Sequence, residues 1–223
     1  QPLEHGRPSP EFPLPWSIYR WLDGEPATID RIADLDRFAN DIAGFLGALY
    51  RVDTTEGPGC GAHSHFRGGP LTQWDEQTRE LISTLHDRID AGAATAVWDT
   101  ALAAEFDGVP VWFHGDTAAT NLLVIDGRLS AVIDFGCCGV GDPACDVPIA
   151  WTVFSGTSRR AFRAALGIDD ATWARGRGWA LWKALIEIRH GAAFDEGAAR
   201  PGWQRMGWRC DATALVEELL VDR

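Results

Sequence analysis

The sequence predicts an α+β fold, predominantly helical, with a β-hairpin at its centre. Three observations lead there. Apolar residues recur at helical spacing in the outer segments, residues 109–135 drop that period for β-like runs, and an Asp126-Gly127 pair, the two-residue signal of a tight hairpin, separates two of those runs. A chain of 223 residues can bury one sizeable core. Its 46% apolar and 23% charged residues exclude collagen-like and disordered classes.

Taken in order, the first fifteen residues carry five prolines (Pro2, Pro8, Pro10, Pro13, Pro15) and read as an extended lead-in without a regular element. WSIYRWL, residues 16–22, is aromatic and β-branched and reads as a strand ending at the Asp23-Gly24 turn. From Ile32 to Tyr50 the positions Leu35, Phe38, Ile42, Phe45, Leu46 and Leu49 give an amphipathic helix. Residues 51–70 are Gly- and Pro-rich and read as a long loop, with His63 and His65 facing solvent; its GPGCGAH piece lacks the Lys-Ser/Thr ending of a phosphate loop. Helices are expected at 71–90 and 94–105, then at 146–154, 158–167, 170–195 and 211–221. The β-like runs between them are VWF, NLLVI and LSAVIDF.

The net charge of −12 disfavours nucleic acid and anionic membrane surfaces and leans toward a cationic small molecule. Five cysteines without CxxC or Cys/His spacing suggest neither a disulfide framework nor a zinc site, and a reducing cytoplasm fits. No 18-residue apolar run and no signal-type N-terminus is present in the sequence. Lysine occurs once, at Lys183; every other basic side chain apart from histidine is arginine.

The chemistry concentrates in HGDTAATN, residues 114–121, directly after VPVWF. Pairing outward from Asp126-Gly127 sets Ile125 opposite Arg128, Leu123 opposite Ser130 and Asn121 opposite Val132, so Asn121 and Asp134 meet at the open end of the hairpin. With Asp116 on the loop leading in, the oxygen donors suit a hard cation such as Mg²⁺, completed by water and phosphate oxygens.

HGDxxxxN, the aspartate of IDFG thirteen residues on, and then GDPACD resemble the aminoglycoside phosphotransferase family of the protein-kinase-like superfold. WSIYRWLDGE resembles the last strand of the family's nucleotide lobe and its hinge. The resemblance implies a split into residues 1–25, the lead-in, that last strand and the hinge, and residues 26–223, the helical C-terminal lobe. It makes Asp116 the residue that accepts the proton of the attacking hydroxyl, and Asn121 and Asp134 the holders of Mg²⁺. His114, Asp142 and Asp146 become supports of the catalytic loop, with Asp146 on its backbone. Trp21 and Leu22 offer hinge backbone to an adenine edge, and Leu123 and Ile133 pack on the ring. Glu187, Asp195 and Glu196, on late helices where the family binds polycationic substrates, are candidate acceptor contacts.

Structural readings compete with several of these. Asp116, Asp142 and Asp146 each suit a cap or turn, Trp21 suits a core, the acidic residues suit a solvated face, and the Cys137-Cys138 pair reads as small apolar packing. No glycine-rich cover loop precedes Trp16, and Lys183 lies far downstream on a helix, so the expectation is the hinge and lower lobe of a longer enzyme. The expected activity is transfer of the γ-phosphate of ATP or GTP to a small-molecule hydroxyl. An inert kinase-like binding module is the alternative. A metal-dependent hydrolase ranks third for want of carboxylate and histidine ligands.

Overall fold

The computed structural model describes residues 2–195, 204 and 206–222, the first of these with side chains through residue 190. Seven α-helices dominate the described residues: α1 (Leu35–Leu49), α2 (Asp75–Thr84), α3 (Ala91–Ala103), α4 (Ile149–Thr152), α5 (Gly156–Leu166), α6 (Asp170–Asp195) and α7 (Ala212–Val221). The strands are β1 (Glu4–Gly6), β2 (Trp16–Ile18), β3 (Glu25–Pro26), β4 (Val111–Phe113), β5 (Leu122–Ile125), β6 (Arg128–Val132) and β7 (Gly139–Gly141). They form three small antiparallel sheets, β1-β2, β3-β5-β6 and β4-β7.

Local chemistry sets the helix starts. Asp34 caps α1 by accepting the Arg37 N–H, Asp90 caps α3 through the Ala93 N–H, and Asp211 caps α7 through Thr213 and Ala214. The apolar stripe read from the sequence buries Phe38, Ile42 and Leu46, and α1 packs along α5, where Phe154 stands between Phe38 and Phe162 at ring separations of 6.3 and 5.5 Å. Gly167, in the left-handed region, ends α5. Helix α6 is the centre of the core: Trp179, Leu181, Ala184 and Leu185 are buried, and α3, α7 and the 3₁₀ turn at Pro143–Asp146 pack on it.

Several elements differ from the sequence reading. The proline-rich lead-in contains a strand, because Glu4–Gly6 pairs with Trp16–Ile18, and the strand expected over 16–22 stops at Ile18. The helix expected at 71–90 is a 3₁₀ turn at Leu71–Trp74 followed by α2, which ends at Thr84. Strand β7 pairs with β4 in a stretch to which the sequence reading assigned no element; its Gly-Val-Gly composition hides it from propensity. The hairpin turn is as expected, with Asp126 and Gly127 both at positive φ. Its register is not: a bulge between Leu123 and Val124 shifts every pair beyond it by one, so Leu122 rather than Asn121 faces Val132 and Leu123 faces Ala131.

The long Gly-rich loop is built into the fold rather than draped over it. Val140 N–H donates to Pro58 O at 2.8 Å and Asp142 N–H to Gly68 O at 2.8 Å. His63 and His65 are exposed, as expected. Gly68 has φ +74°, and a Cβ there would stand 2.0 Å from the Phe113 ring. Gly68→Ala therefore combines a strained backbone with overpacking and costs about 2–4 kcal/mol. Calorimetry should show Tm falling by roughly 5–15 °C; an unchanged Tm would contradict the close approach.

Candidate active site

The site is organised from below by Asp146. Its carboxylate is fully buried and accepts the N–H of His114 at 2.9 Å, the N–H of Gly115 at 2.7 Å and the Thr117 hydroxyl at 2.9 Å. Burial pushes this carboxyl up, opposed by His114 and those donors. Gly115 makes the tight bend between them at φ +82°, where a Cβ would meet the Cys137 carbonyl at 2.5 Å. The loop that carries Asp116 is thus pinned on both sides of that residue.

His114 joins this loop to the hairpin. Its buried ring places Nε2 3.0 Å from Ile133 O and Nδ1 3.3 Å from the Asp116 N–H, so the tautomer protonated at Nε2 serves both bonds. Ile133 N–H in turn donates to Asn121 O at 2.9 Å. Holding Ile133 from both sides delivers the next residue, Asp134, to the open end of the hairpin. Asp134 is exposed and sits at φ +61°, an uncommon conformation for a non-glycine residue, with one carboxylate oxygen accepting the Gly136 N–H at 3.2 Å.

Asp116 is reached from two directions. Asn121 Nδ2 donates to Asp116 O at 2.9 Å and Oδ2 at 3.2 Å, while Lys183 Nζ lies 3.0 Å from Oδ1. Burial would raise the Asp116 carboxyl, but Lys183, by contact and by charge, and then Arg67 outweigh it and hold the group below the usual carboxylate range. The group is a carboxylate at neutral pH. Because Asn121 spends its amino group on Asp116, its side-chain oxygen is left to accept or ligate. That oxygen and the Asp134 oxygen not bonded to Gly136 are hard donors of the type that Mg²⁺ takes with waters and phosphates. Among the described residues no group of three or more His, Cys, Asp or Glu is placed to hold a metal ion.

Asp142 works at a distance from the loop. It caps the 3₁₀ turn through the Ala144 N–H at 3.0 Å and pairs with buried Arg175 at 2.6 Å, fixing the turn that carries Asp146. Residues 25–26 pair with Val124 and Leu123, so the chain just after Trp21 and Leu22 lies across the hairpin. Trp21 is 88% exposed and is not core; Leu22 is exposed, Leu123 buried and Ile133 half-buried. Glu187 is half-buried on α6, one turn beyond Lys183. Asp195 ends α6 with its side chain outside the described residues, and Glu196 lies outside them altogether. The Cys137-Cys138 thiols are half-buried and pushed up by burial, as packing residues are.

Sequence reasoning missed two residues here, Lys183 and Arg67. The first had a signal, since it is the one lysine in an arginine-rich chain. The second had none, lying in a loop without periodicity. Their surroundings are aromatic: the Arg67 guanidinium carbon is 4.7 Å from the Trp182 ring centre and 5.2 Å from that of Trp179. A cavity of about 610 Å³ lies elsewhere, between Gly59–Thr72, the end of α3 and the Arg175–Asp142 pair, and none of Asp116, Asn121 or Asp134 lines it.

Solved structures share this fold. The GDP and kanamycin complex of APH(2'')-IIIa superposes with a TM-score of 0.63 over 98% of this chain and 74% of that one, at 19% identity. The GDP complex of wild-type aminoglycoside 2'-phosphotransferase-IIIa gives 0.59 at 18% identity over 99% and 74%. A thermostable mutant of aminoglycoside phosphotransferase APH(4)-Ia with AMP-PNP and hygromycin B gives 0.57 at 19% identity over 99% and 75%. No curated protein sequence matches the chain. At these identities the structures establish the fold, helical around a small hairpin and kinase-like. Because the model of the phosphotransferase enzyme family, APH, matches residues 1–179, the loop, hairpin and GDPACD turn just described are parts of a family architecture, and the chain belongs to that family.

Proposed function

We propose that this protein is a small-molecule O-phosphotransferase that moves the γ-phosphate of ATP or GTP to an acceptor hydroxyl aligned by Asp116. The observation that carries the reading is a partly exposed carboxylate, kept ionised by Lys183 and Arg67, on a loop clamped by Asp146. The acceptor oxygen forms the new P–O bond, the bond from the γ-phosphorus to its bridging oxygen breaks, and the hydroxyl proton passes to Asp116. Such a transfer needs positioning and charge stabilisation more than covalent help. Asn121 and Asp134 would hold Mg²⁺, which when bound neutralises phosphate charge. Trp21 and Leu22 on the hinge, with Leu123 and Ile133, form the adenine side. His114, Asp142 and Asp146 are positioning residues.

The residues divide into a lead-in and hinge, 1–25, and a helical lobe, 26–223, that supplies the base, the metal ligands and the acceptor side. The structural neighbours are named as complexes with kanamycin and hygromycin B, with GDP and with AMP-PNP, which supports a small hydroxylated acceptor and a nucleotide donor. The net charge of −12 argues against nucleic acid and anionic membrane as partners. The five cysteines are all free, which suits a reducing cytoplasm, where ATP and GTP are abundant.

The reading is tested on the full gene product by phosphate transfer from Mg-ATP or Mg-GTP to a panel of hydroxylated compounds. Asp116→Ala should lower kcat by about 10²–10⁴-fold with Tm preserved; retention of more than about a tenth of the rate removes Asp116 from this role. Asp134→Ala should shift the Mg²⁺ concentration for half-maximal rate upward, and an unchanged Mg²⁺ titration contradicts the assignment. In Lys183→Met the burial of Asp116 is less opposed, so its pKa rises. The acid limb of the pH–rate profile should then move to higher pH, while rates well above the ordinary carboxylate value of about 4 change less. An acid limb that stays in place would show that Lys183 does not tune Asp116.

A further inference from the structure

The cavity of about 610 Å³ beside the Arg175–Asp142 pair has no part in the site described above. Cavities that hold small molecules run from about 300 to 1,000 Å³, so this one is of ligand size, and no described side chain fills it. Leu71, Ala101, Leu102, Phe106 and Val140 make its walls apolar, and a space so lined gives water few partners. Its polar end has nothing to offer an anion. The five N–H donors of Arg175 are spent on both oxygens of Asp142, on Ala104 O, on Glu105 O and on the Thr172 hydroxyl, at 2.6 to 3.4 Å. That leaves Glu105, an exposed carboxylate, as the charged lining side chain without an ion pair among the described residues.

We propose that this cavity is an effector site for a small apolar molecule carrying one positive charge, an aromatic or alicyclic amine, and that its occupancy tightens the support beneath Asp116. The apolar body lies against Leu102, Phe106 and Val140, and the ammonium meets Glu105. A polycation finds a single carboxylate here, and an anion finds a like charge. The link to Asp116 runs through the cavity wall, which includes Gly68, Asp142 and Arg175. Asp142 N–H donates to Gly68 O at 2.8 Å, its carboxylate pairs with Arg175, and it caps the turn from which Asp146 holds the N–H groups of His114 and Gly115. An apolar body against that pair keeps water away and lowers the local dielectric, which strengthens the pair. Because this wall exists only while the turn is closed on α6, a bound molecule favours the closed state over local opening. The site is argued from its lining and stands whether or not the protein transfers phosphate.

Two measurements on the full gene product decide it, neither of which needs turnover. The first is titration calorimetry with naphthylmethylamine, naphthalenemethanol and naphthoate, which vary the charge on one ring system. The amine should saturate and bind about tenfold or more tightly than naphthoate, with the alcohol between them, and Glu105→Gln should remove most of that spread at unchanged Tm. Leu102→Trp puts an indole into the space and should abolish saturable binding of all three. Thr72→Tyr, at an exposed lining position, is the second blocking variant and supplies the same check where Leu102→Trp does not fold. Kanamycin should fail to displace the amine. No saturable heat, tightest binding of naphthoate, displacement by kanamycin, or full affinity in a folded blocking variant overturns the site. The second measurement is hydrogen exchange at the His114 and Gly115 amides. With the amine at ten times its Kd, exchange there should slow by about threefold or more, and in the blocking variant it should not change. Exchange that stays the same while the amine binds overturns the effector role.

Discussion

One buried carboxylate holds this site together. Asp146 is shut off from solvent, and among the described residues its carboxylate is met by two backbone N–H groups and a hydroxyl, all from residues 114–117. A buried carboxylate is tolerable only when its donors are all in place, which makes the local geometry close to all-or-none. The His114–Thr117 segment cannot drift without stranding that charge, and Asp116 is the residue in its middle. Asp142 and Arg175 extend the same logic one step back, by anchoring the 3₁₀ turn on which Asp146 sits against helix α6. The precision of the candidate base thus derives from a chain of buried polar pairs, not from the exposed loop itself.

The second support is mechanical. His114 and Asn121 each contribute one bond to the backbone of Ile133, and through it to the end of the hairpin. Loop and hairpin are therefore coupled at the point where Asp116 and Asp134 must be set relative to one another. The left-handed backbone at Asp134 fits this picture: strain of that kind persists only where the surroundings over-determine the conformation, and here Ile133 before it is held by those two bonds and Gly136, two residues after it, by the aspartate's own side chain.

How much of this was legible in the sequence depends on the range of the interaction. Helices α1, α5, α6 and α7 were readable because their apolar faces repeat locally, and the hairpin turn because Asp-Gly needs positive φ at both positions. The register beyond Leu123 was not, since a bulge adds a residue without any mark in composition. Strand β7 and the strand in the lead-in were hidden for a related reason: Gly-Val-Gly and Glu-His-Gly become strands because a partner lies alongside, not through propensity. Within the site, the polar residues of the two motifs were visible as residue types at fixed spacing. The partners that come from afar, Arg67 from a Gly-rich loop and Lys183 from α6, are 49 and 67 positions from Asp116 and share no periodicity with it.

The single lysine sharpens the physical distinction. Everywhere else that this fold buries a cation it uses arginine, whose planar fork satisfies several acceptors at once, as Arg159 and Arg175 do. Those are structural tasks, met by spreading one charge over many bonds. At Asp116 the task differs. A compact ammonium places a full point charge against one carboxylate oxygen and leaves the other to Asn121, so the carboxylate stays ionised while remaining partly open to solvent. An arginine in the same place would close a bidentate pair over both oxygens and block that opening. Lys183 therefore belongs where it is, whereas Arg67, the other cation that holds the Asp116 carboxyl down, acts on it by charge from its place against Trp179 and Trp182.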